Sequence, residues 1–254
     1  MQHPYPAQSA TPASTSSQPP ALRIDVISDV VCPWCFIGKR RLERALELYR
    51  SAYPEASAPD LRFHPFELNP DLPPAGVLRR DYYARKFGPE KVAQIYARIQ
   101  GVGRELDIAF ALEEIQKQPN TRRMHVLISL AAGFGLQERV KEAFLCAFFL
   151  DAVDLTERDN LERIATDAGL PLEVVQAALD DPAALQTIQA QEEQATAIGV
   201  QGVPFFIFNG CVAVSGAQEP QALLEAMQQA LRESAAAANT PEQPAQSSQS
   251  AQRV

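Results

Sequence analysis

Cys32 and Cys35, separated by Pro33 and Trp34, are the residues of this sequence best placed to do chemistry. Two thiols at this spacing come within about one turn of each other on a helix, close enough to form and break a disulfide. The flanking pattern places them at a helix start. Leu22-Arg23-Ile24-Asp25-Val26-Ile27 alternates as a strand does and runs on into Ser28-Asp29-Val30-Val31. After Cys35, apolar residues Ile37, Leu42, Ala45, Leu46 and Tyr49 recur at helical spacing among charged ones. The first turn of a helix has unpaired N–H groups and a partial positive charge, and both favour a thiolate over a thiol. Pro33 suits that turn, where a missing N–H costs little. Cys32 is therefore expected to be the exposed attacker. Cys35, one turn further in and more buried, is expected to resolve the mixed disulfide.

Other readings of the pair are weaker. A structural zinc site needs four ligands, usually a second Cys or His pair. Cys146, Cys211, His64 and His125 supply no such pair, so no metal is expected. Cys146 and Cys211 stand alone and are expected to do no redox work. Trp34 is the single tryptophan. Between two thiols its ring suits recognition of an apolar substrate, with core packing the plainer alternative. Val203-Pro204 opens a strand-like run. Proline cannot donate to a ladder and belongs at a strand's first residue, where the cis form would make sense against the ordinary trans one.

The rest of the chain must position these groups. A second short strand is expected at Leu61–Phe66, followed by an irregular Pro-rich stretch to Gly76. From about Leu78 to Ile198 nearly everything reads helical, in segments near 78–86, 89–99, 120–133, 136–150, 157–168, 171–180 and 182–198 separated by Gly, Pro and Asp. Strand patterning returns at Val203–Phe208 and at Cys211–Gly216, joined by the hairpin signal Asn209-Gly210. A last helix is expected from Pro220 to about Leu231. The fold class is therefore α/β with a large all-helical insertion. The expected division is a discontinuous domain over 21–67 and 186–234, an inserted helical subdomain over 68–185, and disordered tails at 1–20 and 235–254. Both tails are rich in Pro, Ser, Gln and Ala and short of core-forming side chains.

Charge and composition narrow the partners. A net charge of −8 argues against nucleic acid or an anionic membrane. No apolar run approaches the roughly 20 residues of a membrane span. The first residues carry neither a basic stretch nor an apolar core of a secretory signal, so a cytoplasmic location is expected. Four cysteines in a chain this long suit one redox pair in a reducing compartment rather than a disulfide scaffold.

With these landmarks placed, the chain resembles the DsbA family, and within it the FrnE-like branch. The resemblance runs from about Arg23 to Leu231. It is carried by Ser28–Lys39 around Cys32-Pro33-Trp34-Cys35, by Pro65–Pro70, by Asn120-Thr121 with His125, and by Gly199–Phe206 with Ala213–Gln218. It implies a thioredoxin fold with a helical insertion, a cis peptide at Val203-Pro204 and dithiol–disulfide exchange. It also implies that Val203 offers its backbone to a bound peptide as an added strand would. Pro33, Trp34, Val203, Pro204 and Asn120 are then the expected substrate-binding residues. Capping of a helix is the simpler role for Asn120, and packing or a local hydrogen bond the simpler one for His125.

The expected activity is exchange of a Cys32–Cys35 disulfide with protein or small-molecule thiols. No cofactor is expected beyond that disulfide, with glutathione a candidate co-substrate and a separate redox protein as recycling partner. Two alternatives share the resemblance. One is a glutathione-dependent isomerase of the 2-hydroxychromene-2-carboxylate type, whose members typically carry serine where Cys32 stands. The other is a chaperone-like module binding through the surface around Trp34.

Overall fold

The computed structural model describes residues 21–238. The expected tails fall outside that span, apart from residues 235–238. In chain order the elements are β1 (Arg23–Ser28), α1 (Pro33–Ala52), β2 (Asp60–Pro65), β3 (Val77–Leu78), α2 (Arg79–Phe87), α3 (Pro89–Arg104), β4 (Lys117–Gln118), α4 (Arg122–Ala132), α5 (Gln137–Phe149), α6 (Arg158–Asp167), α7 (Leu172–Asp180), α8 (Pro182–Ala197), β5 (Phe205–Phe208), β6 (Val212–Ser215) and α9 (Pro220–Ala238).

β1 is the strand on which the architecture turns. The main sheet has the order β2-β1-β5-β6, with β1 parallel to β2 and antiparallel to β5. A strand with neighbours on both edges and helices on both faces is buried throughout, and every residue of β1 except Arg23 is. The two-residue period still sorts its side chains. Ile24 and Val26 join Leu42, Phe206, Phe208, Leu223 and Met227 in the main core. Ile27 points the other way, against Ala195 and Val200. The first face is covered by α1 and α9, which pack on each other, while α8 packs against β2.

The hairpin closes as its Asn-Gly signal requires. Asn209 and Gly210 have φ of 49° and 71°, and the Cys211 N–H donates to the Phe208 carbonyl at 3.1 Å. Between β2 and β5 the chain runs through α2 to α8, at nearly the segments that Gly, Pro and Asp punctuation marks out. Two differences stand out. The antiparallel pair β3–β4, with Val77 opposite Gln118, is too short to leave a period in the sequence. And α9 continues to Ala238, seven residues past its expected end, because the run Ala235–Ala238 consists of the strongest helix former.

α1 begins immediately after the loop that leaves β1. Cys32 is its N-cap, with extended φ and ψ of −94° and 111°, and Pro33 follows at the first helical position. The helix ends at Tyr53, ahead of Pro54. Strand, loop and helix start thus present Cys32 and Cys35 at one end of the sheet, and α2 and α3 stand over that end.

Candidate active site

Cys32 and Cys35 are both free thiols. They are drawn together by the first turn of α1, where the Cys35 N–H donates to the Cys32 carbonyl at 3.0 Å. The expected contrast in exposure is not found: Cys32 is 4% exposed and Cys35 3%. The cavity onto which Cys32 opens is walled in part by α2 and α3, which the local Cys-x-x-Cys pattern does not encode. What separates the two sulfurs is their surroundings. Cys32 lines a cavity of about 350 Å³, together with Pro33 and Trp34, and Cys35 does not. The Cys32 thiol lies 3.6 Å from the Val203 carbonyl, to which it donates. The Cys35 sulfur instead accepts the Asp29 N–H at 3.4 Å, on the protein side.

The Val203-Pro204 peptide is cis. Pro204 is buried and touches α1 at its one opening. A Cβ placed on Gly38 would lie 2.9 Å from Pro204 Cγ and 3.3 Å from Phe206 Cζ. Glycine at 38 is what lets the loop reach the helix carrying both thiols. The Gly216 N–H donates to the Pro204 carbonyl at 2.8 Å and ties the same loop to the end of β6.

Behind Cys35 lie Asp29, His125 and Lys141, all buried, of which the sequence reading weighed His125 alone, as packing or a local hydrogen bond. Asp29 is fully buried, and its carboxylate accepts the Leu68 N–H at 2.8 Å and faces His125 Nε2 at 3.3 Å. Burial alone would raise the Asp29 carboxyl. The His125 hydrogen bond and charge, the Leu68 N–H and Lys141 together outweigh burial and hold it below its ordinary value. Lys141 on α5 is 2% exposed. Burial lowers its ammonium, opposed by Cys35, Asp29 and Cys32. The Cys35 thiol is pushed well up by burial and by Cys32, while Lys141 pulls the other way. One signal could have exposed this cluster. Lys141 sits at the helical spacing of Val140, Phe144, Leu145 and Phe148, all buried, and a charge on an apolar face points to a role.

The remaining candidates separate from the pair. Trp34 is half-buried at the cavity wall, with the Arg98 guanidinium 5.4 Å from its ring centroid. Asn120 does not reach this cavity. Its side chain accepts the Arg122 N–H at 3.1 Å and donates to the Pro70 carbonyl at 3.2 Å, in a separate cleft with Leu72 and Leu155. His125 bonds across to Asp29 rather than within its own helix. Cys211 lies at the hairpin turn, its thiol near the Phe208 carbonyl at 3.5 Å. Cys146 is pushed up to about 12 by burial and by Glu142, which makes it a poor nucleophile. No cluster of His, Cys, Asp or Glu among the described residues is arranged to hold a metal ion.

The DSBA-like thioredoxin domain matches residues 23–228. The chain is 24% identical over 196 residues to the uncharacterized protein YwbO of Bacillus subtilis, a match covering 75% of this chain and 88% of that one. Among solved structures it is similar to a probable DsbA oxidoreductase from Streptomyces coelicolor, at 29% identity and a TM-score of 0.76, covering 87% of this chain and 93% of the other. A 2-hydroxychromene-2-carboxylate isomerase shares the fold at 18% identity and a TM-score of 0.58, covering 85% of this chain and 98% of the isomerase.

Proposed function

The chain belongs to the DSBA-like thioredoxin-domain family, and from that premise we propose that it catalyses thiol–disulfide exchange through Cys32 and Cys35. The observation that carries this reading is the unequal setting of two adjacent thiols. Cys32 meets both a cavity and the Val203 carbonyl, and Cys35 is sealed behind it beside Lys141. Attack on a substrate disulfide needs an accessible sulfur at a helix N-terminus. Resolution needs a second sulfur within reach that no substrate can touch.

In this reading the Cys32 thiolate attacks a substrate sulfur and forms a mixed disulfide, releasing the first thiolate. Cys35 then loses its proton, with Lys141 as the nearby charge that favours its ionisation, and attacks Cys32. The second thiolate leaves and the protein holds the disulfide. Run backwards, the same steps oxidise a substrate dithiol. Val203 and Pro204 bound the Cys32 side away from the cavity, where an extended peptide has a backbone carbonyl to pair with. The substrate is a thiol or disulfide, glutathione is a candidate co-substrate, and a separate redox protein recycles the pair. No helix among the described residues is long and apolar enough to cross a membrane, and a cytoplasmic site of action is part of the proposal.

Fold alone does not decide between exchange and isomerisation, because an isomerase shares it. The second thiol favours exchange. Isomerisation needs no resolving sulfur, so activity toward the aromatic substrate with glutathione in Cys35→Ala would favour the isomerase. The direct test of exchange uses serine variants and a small disulfide. Cys32→Ser is expected to abolish turnover, and Cys35→Ser to stop at a mixed disulfide visible by intact mass. Turnover in either variant would overturn the assignment.

A further inference from the structure

We propose that the cavity beside Cys32 is built for a small thiol or disulfide bearing a carboxylate, its apolar body against the aromatic wall and its anionic end at Lys86 and Arg98. The proposal rests on Cys32 being the exchanging thiol and adds the class of molecule that reaches it.

The size is the first constraint. At about 350 Å³ the cavity lies at the small end of the range for small-molecule sites, about 300–1,000 Å³. Its walls come from the start of α1 and from α2 and α3. Tyr82, Tyr83 and Phe87 on α2 and Ile95 and Ile99 on α3 make it largely apolar.

Charge is the second constraint. The chain carries a net charge of −8, yet no Asp or Glu lines this cavity. Its charged groups are Lys86 and Arg98, both exposed at the rim. The contacts found for them are with neutral groups. Lys86 Nζ donates to Tyr82 Oη at 2.7 Å and to Asn69 Oδ1 at 3.1 Å, and Arg98 lies over the Trp34 ring. Behind the wall lies a third cation. Arg79 is 1% exposed, and its guanidinium donates to Tyr96 Oη, Gln118 Oε1 and Tyr83 Oη at 3.2, 2.7 and 3.0 Å. It also stacks on Tyr83, 4.3 Å from the ring centroid. All of these partners are neutral, and Tyr83 and Gln118 are themselves cavity wall. Among the described residues this buried guanidinium pairs with hydroxyls, an amide and rings and with no carboxylate, so its field reaches into the low-dielectric space beside Cys32. An anion entering the cavity gains from all three cations and meets no carboxylate. A cation entering it meets three like charges, against which the aromatic faces offer only a weaker attraction.

The electron count closes with such a substrate alone. Cys32 attacks one sulfur of the disulfide, a Cys32–sulfur bond forms and the substrate's S–S bond breaks. Cys35 attacks Cys32 and the second thiolate leaves. Two electrons pass from the dithiol to the disulfide, and the protons shed by Cys32 and Cys35 go to the two released thiolates.

Three disulfides of similar size test the proposal: dithiodipropionate, bis(2-hydroxyethyl) disulfide and cystamine, which are anionic, neutral and cationic. The reduced full-length chain is mixed with each, Trp34 fluorescence gives the rate, and each rate is divided by that of the same disulfide with a free small thiol. The expected order is anionic, neutral, cationic, with about tenfold or more between the first and the second. In Lys86→Met/Arg98→Met the anionic-to-neutral ratio is expected to fall at least about threefold, and what remains belongs to buried Arg79. Raising the salt concentration on the wild-type chain should shrink the same ratio without any variant, because rim charges are screened. Equal normalised rates in the wild type, or a preference that neither the variant nor the salt reduces, would overturn the proposal. Failure of all three disulfides to react would instead remove Cys32 as the exchanging thiol, and the proposal with it.

Discussion

At Cys35, burial and the neighbouring Cys32 oppose ionisation, and Lys141 is the charge that favours it. Removing that charge should slow resolution more than attack. Lys141→Met is expected to accumulate the mixed disulfide during turnover, with resolution slowed about tenfold or more, since a full charge beside a buried thiolate is worth at least about 1.4 kcal/mol. Quenched samples read by intact mass measure it, and a mixed-disulfide population no larger than the wild type's would contradict it. Cys146 supplies the opposite case. Its thiol, pushed up to about 12 by burial and Glu142, is expected to remain unmodified at pH 8 while Cys32 is alkylated. Rapid labelling of Cys146 in peptide maps would refute that. Cys32 and Cys35 were singled out by their spacing together with their place between a strand and a helix, and Pro204 by that thiol context, since a strand-opening proline by itself reads as an ordinary trans one. The cavity beside Cys32 was not legible, since the α2 and α3 residues that line it lie far along the chain. Nor was the Asp29–His125 contact, which joins residues 96 positions apart.

Gly38 is the point where α1 and the cis-Pro loop fix one another. Alanine would gain about 1 kcal/mol of helix propensity over glycine. Against that, its Cβ would sit 2.9 Å from a proline ring held on both sides, and overpacking of this kind costs about 1–3 kcal/mol. Overpacking should win: Gly38→Ala is expected to unfold at lower denaturant, and a variant as stable as the wild type would show that the contact yields. The contact of α8 with the segment after β2, where Glu192 meets Glu67, carries a pH dependence. Burial first, then the carboxylates of Glu67 and Asp29, push the Glu192 carboxyl up to about 8, against Arg122 and the Glu67 backbone, which pull it down. A carboxyl raised on folding holds a proton that the unfolded chain has lost, so it subtracts stability as pH rises from about 4.5 to about 8. Glu192→Gln is expected to lack this decline and to gain on the wild type over that window in denaturation at the two pH values. An unchanged difference between them would count against it. Helix limits were readable because Gly, Pro and Asp punctuate them. The β3–β4 pair was not, and the proposed domain division at residue 185 falls inside α8, which is capped by the Asp181 side chain at its own start. We place that boundary before Pro182.

Over the whole molecule, net charge describes solubility and partners better than it describes the site. A chain of net charge −8 keeps the cavity at Cys32 lined by no acid, with two cations at its rim and a third behind its wall. The fold was legible from its order of strand, helix, strand, helical block, hairpin and helix, because each element carries its own period. The electrostatics of the site were not, because they arise where α2, α3 and α5 converge on the end of the sheet. As an isomerase shares the architecture, the central claim stands on the thiol pair. It is tested most directly by titrating that pair against glutathione buffers in Cys146→Ser/Cys211→Ser, following Trp34 fluorescence. A reversible two-electron transition, lost in Cys35→Ser, is expected, and its midpoint would mark an oxidant near about −120 mV or a reductant near about −270 mV. No transition across the buffer range, or one that persists without Cys35, would contradict the assignment of thiol–disulfide exchange.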